Sequence, residues 1–146
     1  MEKSVDGLYE IKEIFDCKEQ DIRSFSPLTL AYIGDAVYDL VIRTIVVERG
    51  NKAANVLHKT TVKYVNAAAQ AAIIQAVLDV MTEEELAVYM RGRNAKSNTM
   101  AKNASVEDYR KATGMEALIG YLYLSNRFHR VLELVKLGME KAGYEI

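Results

Sequence analysis

Two acids stand in stretches of sequence that are poor places for an uncompensated charge. Asp35 falls within LTLAYIGDAVYDLVIRTIVV and Glu116 within GMEALIGYLYL. Both runs are otherwise strongly apolar and helical in pattern. An ion buried in such surroundings costs several kcal/mol, on the order of its desolvation penalty, unless a partner compensates it. No Lys or Arg stands within one helical turn of either acid. A cation shared between two helices therefore competes with two plainer readings: each acid caps a neighbouring helix, or each pairs with a distant Arg. An oxygen-only donor set suits Mg²⁺, which takes one or two carboxylates and completes its shell with phosphate and water. The chain has no Cys/His cluster for zinc and no Glu-x-x-His for a di-iron bundle.

Two helices must position these acids. Ala31 and Asp39 lie four residues on either side of Asp35, and Thr113 lies three before Glu116, so each shares a face with its acid. Gly34 adjoins Asp35 and Gly120 sits one turn after Glu116. Small residues at these places let the helices cross closely enough for the acids to meet.

The rest of the chain reads as helix almost throughout. Leu8, Ile11, Ile14 and Phe15 mark one face of a short first helix. Ser26-Pro27 is a start signal, an N-cap followed by Pro at the first helical position, for a helix running to Arg49 and stopped by Gly50. Asn51 is available to cap the next stretch. Leu57 to Val80 reads as one long Ala-rich helix buried on most sides. Thr82 with Glu85 makes a capping box for a segment through Met90. Ser105 with Asp108 makes a weaker one for a helix to about Leu124, and Asn126 is placed to cap a last amphipathic helix ending near Gly143.

Between these lies RGRNAKSNTMAKNAS, residues 91–105, the one long polar segment. Arg91, Arg93, Lys96 and Lys102 form a basic cluster, with Asn94, Ser97 and Asn98 as hydrogen-bonding side chains among them. Such a cluster is either a solvated loop or a set of phosphate contacts. His58, Lys59 and Lys63 make a second small basic group on one helix. Tyr32 and Tyr38 flank the Asp35 motif and are placed to shape the site or a dimer seam.

The 146 residues suit a single domain with a proper core. The formal net charge of −1 gives no global attraction to nucleic acid, so an anionic ligand needs a local basic patch. The N-terminal MEKSVDGLYEIKE lacks the apolar region of a signal peptide, and the longest uncharged run, Tyr64 to Leu78, is too short and polar to span a bilayer. With the lone Cys17, this leads to the expectation of a cytoplasmic protein with no membrane partner.

LAYIGDAVYDLVIR resembles the signature helix of the ribonuclease III family, and MEALIGYLYL resembles that family's second catalytic helix. The two occur in the family's order, and the likeness extends from about Pro27 to Leu124. On this resemblance Asp35 matches the signature aspartate and Glu116 the essential metal-binding glutamate. Ala31 stands where the family usually has a glutamate, and Thr113 where it usually has an aspartate. Thr113 keeps a hydroxyl with which to orient a water beside a bound ion.

These departures, together with the RGRNAK segment, resemble the Mini-ribonuclease III branch. Its members are stand-alone catalytic domains without a double-stranded-RNA-binding domain, so residues 1–146 are expected to form one such domain. The resemblance implies an all-α homodimer that cuts both strands of duplex RNA with Mg²⁺, or with Mn²⁺ in its place. It implies a role in maturing the ends of the 23S ribosomal RNA precursor, with a large-subunit ribosomal protein as a further partner. Arg91, Arg93, Asn94, Lys96, Lys102, His58 and Lys59 are the expected RNA contacts. The rival reading on the same fold is a catalytically inert RNA-binding or ribosome-assembly module.

Overall fold

The computed structural model describes residues 7–96 and 105–146. Among them are seven α-helices, two single 3₁₀ turns and no strand. The helices are α1 (Gly7–Ile14), α2 (Pro27–Glu48), α3 (Ala54–Val65), α4 (Ala67–Gln75), α5 (Glu83–Asn94), α6 (Val106–Leu124) and α7 (Phe128–Ala142).

The GMEALIGYLYL run explains the layout. It is apolar on every side, and such a helix is stable only when surrounded. Accordingly α6 sits at the centre, with α2, α4, α5 and α7 packed around it. Ala117, Leu118 and Leu122 are wholly inaccessible to solvent. No described helix is long and apolar enough to cross a membrane.

The capping signals act as the sequence suggests. Ser26 Oγ accepts the Thr29 amide at 3.2 Å with Pro27 at the first helical position. Thr82 and Glu85 form the reciprocal capping box, and Ser105 Oγ accepts the Asp108 amide at 3.0 Å. Gly143 closes α7 in the left-handed region, φ 84°.

Four expectations are corrected. The Leu57–Val80 stretch is not one helix: it breaks at Asn66, whose backbone is extended. Asn66 Oδ1 accepts the Ala69 amide at 2.8 Å, opening α4, while Nδ2 donates to the Val62 and Lys63 carbonyls at 2.9 and 3.3 Å, closing α3. One side chain thus satisfies orphan groups of two helices. Asn51 caps nothing: α3 starts at Ala54 with no side-chain cap. Asn126 is not the cap of α7. It takes a left-handed conformation, φ 61°, in the turn leaving α6, and Arg127 holds the cap position. Finally, α5 runs four residues past Met90 to Asn94, so Arg91 and Arg93 are helical, in the last turn where the helix dipole favours cations.

Two helix contacts are set by glycine. At the α2–α6 crossing, a Cβ on Gly120 would come 2.9 Å from the Leu30 carbonyl carbon. At the α5–α6 contact, a Cβ on Gly92 would lie 2.6 Å from Ala117 Cβ. Opposite faces are tied by polar groups. Arg130 on α7 donates to both Glu85 oxygens at 2.8 and 2.9 Å and to the Val80 carbonyl at 3.0 Å. Tyr38 Oη donates to the Tyr64 carbonyl at 2.6 Å, and Tyr64 Oη donates in turn to the Glu145 carbonyl.

Candidate active site

The α2–α6 crossing brings the two acids together. Gly34 lies against the backbone of Glu116, so the next residue, Asp35, reaches the same space as the Glu116 side chain. That space is an open cavity of about 770 Å³, lined by Ala31, Asp35 and Asp39 of α2 and by Tyr109, Thr113 and Glu116 of α6, among others. All four positions singled out by the motifs, 31, 35, 113 and 116, line one cavity.

The two acids are not equivalent. Asp35 is exposed, which corrects the expectation that both are buried. The apolar residues around it in the sequence divide between the core and the outer face of α2, where Tyr32 is 82% and Leu40 62% exposed. Glu116 is the half-buried one, and its carboxyl is pushed up to about 7. Burial is the main cause, and the nearby Asp35 carboxylate adds to it. A hydrogen bond from Gln70 opposes both: its Nε2 donates to Glu116 Oε2 at 3.2 Å.

Neither acid is paired with a guanidinium or an ammonium among the described residues, and no Lys or Arg lines the cavity. Two carboxylates close enough for Asp35 to disfavour the ionised form of Glu116, with no internal cation, fit a divalent ion held by oxygen ligands. The described residues contain no group of three or more His, Cys, Asp or Glu side chains placed to hold a metal. At the other two motif positions stand Ala31 and Thr113, which carry no carboxylate.

Thr113 lines the cavity at 8% exposure. Its hydroxyl donates to the Tyr109 carbonyl at 3.0 Å, leaving acceptor lone pairs for a water. Asp39 also lines the cavity but is engaged by Arg43, whose Nε donates to Oδ2 at 2.8 Å.

The basic residues stand apart from the cavity. Arg91, Asn94 and Lys96 are exposed around the end of α5. Arg93 donates to Glu107 at 3.3 Å and to Asn94 Oδ1 at 3.2 Å. His58, Lys59 and Lys63 are exposed on α3. Lys102, Ser97 and Asn98 lie outside the described residues. Tyr32 lines the cavity rim, whereas Tyr38 is buried and serves the α2–α3 contact.

Gln70 is the site residue that sequence reasoning missed. Its signal was present: a polar residue in an otherwise Ala- and Ile-rich helix is the same kind of anomaly as the two acids.

Residues 28–127 match the family model described as Ribonuclease III domain. The chain belongs to the ribonuclease III family and is an endoribonuclease of that type. The family acts on double-stranded RNA and is generally divalent-metal dependent. Among similar proteins, Mini-ribonuclease 3 of Thermoanaerobacter sp. is 49% identical over 140 residues, covering 96% of this chain and 97% of that protein. Mini-ribonuclease 3 of Clostridium tetani is 51% identical over 120 residues, covering 82% and 80%. A crystal structure of a protein from Fusobacterium nucleatum superposes with a TM-score of 0.75 at 30% identity, covering 84% of this chain and 98% of that one.

Proposed function

We propose that Asp35 and Glu116 together hold a divalent cation, Mg²⁺ or in its place Mn²⁺, and that duplex RNA is cut at this cavity. The observation that carries the reading is the meeting of two carboxylates from separate helices, with no internal cation, in one open cavity. Bound there, the ion supplies Lewis-acid polarisation of a phosphoryl oxygen and activation of a water.

The chain's own residues do the rest. Glu116, ionised, offers an oxygen from a low-dielectric wall, where its charge acts strongly. Asp35, at the exposed rim, offers one from the side the substrate enters. Thr113 accepts a hydrogen bond from a water in the cavity and orients it. Neither acid is the sole general base, because a carboxylate bound to the cation is a poor proton acceptor.

Arg91, Arg93, Asn94, Lys96 and Lys102, with His58 and Lys59, form the RNA-contacting surface. A-form RNA presents phosphates and 2′-hydroxyls across a wide minor groove, which suits shape reading by such dispersed polar residues. The described residues share one core and act as a single catalytic domain.

The active form is a homodimer. The exposed apolar face of α2, with Leu28, Tyr32 and Leu40, supports this, since three such residues in line on one helix are suited to a partner surface. The natural substrate is the precursor of 23S ribosomal RNA, cut at its ends in the cytoplasm, with a large-subunit ribosomal protein presenting it. This last reading rests on the likeness to the Mini-ribonuclease 3 proteins.

The test is cleavage of a perfect RNA duplex and of 23S precursor by purified protein, with Mg²⁺ and with chelator. Asp35→Asn and Glu116→Gln should each abolish cutting while the circular dichroism spectrum is kept. Near-normal turnover by either variant in Mg²⁺ overturns the assignment.

A further inference from the structure

Gln70 is 3% exposed in a helix otherwise built of Ala and Ile up to its last residue, Gln75. A primary amide buried without a partner is costly, so its partner is the informative feature. That partner is Glu116: Nε2 donates to Oε2 across the α4–α6 contact, from a residue 46 positions away. On the cavity side the same carboxyl lies within hydrogen-bonding reach of Asp35.

The bond depends on the break at Asn66. Because α4 starts afresh at Ala67, it lies against α6 in its own right, with Gln70 at the end of its first turn. Glu116 has three side-chain torsions to order, and fixing so flexible a side chain costs conformational entropy. A hydrogen bond that fixes them beforehand removes that cost from ligand binding. With only two carboxylates in the donor set, Glu116 has more to contribute than in a four-carboxylate site, and its orientation matters more.

We propose that Gln70 is a positioning residue of the active site, gripping Glu116 Oε2 from α4 so that the carboxylate is held facing the cavity and the divalent cation bound there. This rests on the two-carboxylate reading given above. Gln70 touches neither the substrate nor the cation. It acts only through Glu116.

The test is Mn²⁺ binding, followed by the electron paramagnetic resonance of free Mn²⁺, in the wild type, Gln70→Met, Glu116→Gln and the double variant. Met keeps the length of Gln and removes the donor. Gln70→Met should bind Mn²⁺ about 10–100-fold more weakly, the usual effect of losing an outer partner of a ligand. It should lower kcat in Mg²⁺ with the KM for duplex RNA little changed. In the Glu116→Gln background the same change should cost nothing further.

Wild-type Mn²⁺ affinity in Gln70→Met, with binding weakened but still measurable in Glu116→Gln, overturns the role of Gln70 and leaves the carboxylate pair standing. An equal loss in both backgrounds marks a merely structural residue and also overturns it. Unchanged binding in Glu116→Gln overturns the carboxylate reading itself. If Gln70→Met fails to fold by near-ultraviolet circular dichroism, Gln70→Leu carries the same comparison.

Discussion

Gly34 and Glu116 touch through their main chains. A Cβ on Gly34 would come 2.7 Å from the Glu116 carbonyl carbon and 2.8 Å from the Gly120 amide nitrogen. The obstacle is backbone, which cannot rotate aside. Gly34→Ala therefore has to push α2 and α6 apart at the point where their acids meet. The expected result is a loss of stability of about 1–3 kcal/mol, the range for overpacking a dense interior, in urea unfolding. Cleavage should fall further than the stability loss explains, measured at a temperature where the variant remains folded.

Glu116 makes the metal-free protein pH-dependent in a definite direction. Its carboxyl is raised from 4.5 to about 7 in the folded state, chiefly by burial. The native state thus holds a proton that the unfolded chain has released between those values. Stability from this group is fully present below about pH 4.5 and is lost as pH rises through about 7. Glu116→Gln removes the ionisation. Without divalent ions, it should be more stable than the wild type at pH 8, by up to about 3 kcal/mol. At pH 5 the gap should nearly close. Urea titrations at the two pH values read the difference.

Arg93 and Lys96 are expected to act on RNA and not on the fold. The Arg93–Glu107 pair, at 3.3 Å, lies at the surface, where solvent screens it and it adds little to the fold. Neutralising both residues with Gln should leave the melting temperature nearly unchanged. The affinity for duplex RNA should drop, and the slope of log K against log salt should shrink by roughly 1–2. Filter binding in the Glu116→Gln background, where the RNA stays intact, provides the measurement.

Arg130 is the counter-case, a charge that does support the fold. Glu85 is 2% exposed, and its carboxyl is held below the usual range, first by hydrogen bonds from Arg130. Arg130→Met leaves that acid buried beside an apolar chain, at a cost of about 3 kcal/mol. Glu85→Gln together with Arg130→Met should recover part of the loss, which denaturation of the three variants would display.

Much of this was legible in the sequence because it is local. Ser26, Thr82 and Ser105 cap their own helices within three residues, so residue type and spacing suffice to place them. Gly34 and Gly120 marked the helix crossing because each stands within a turn of an acid in an apolar run. The break at Asn66 escaped notice because apolar residues continue on both sides with a helical period, and only the two-way bonding of one amide distinguishes it. Gln70 escaped because its partner lies in another helix. The exposure of Asp35 escaped because α2 is apolar on its outer face as well as toward the core, so its pattern does not say which side an acid takes.

Asn66 leaves a lasting mark on how the chain can vary. What looks like one rod is two, aimed independently by a single amide at the joint. A substitution at Asn66 frees that joint, and with it the aim of the second rod, on which the grip on Glu116 depends.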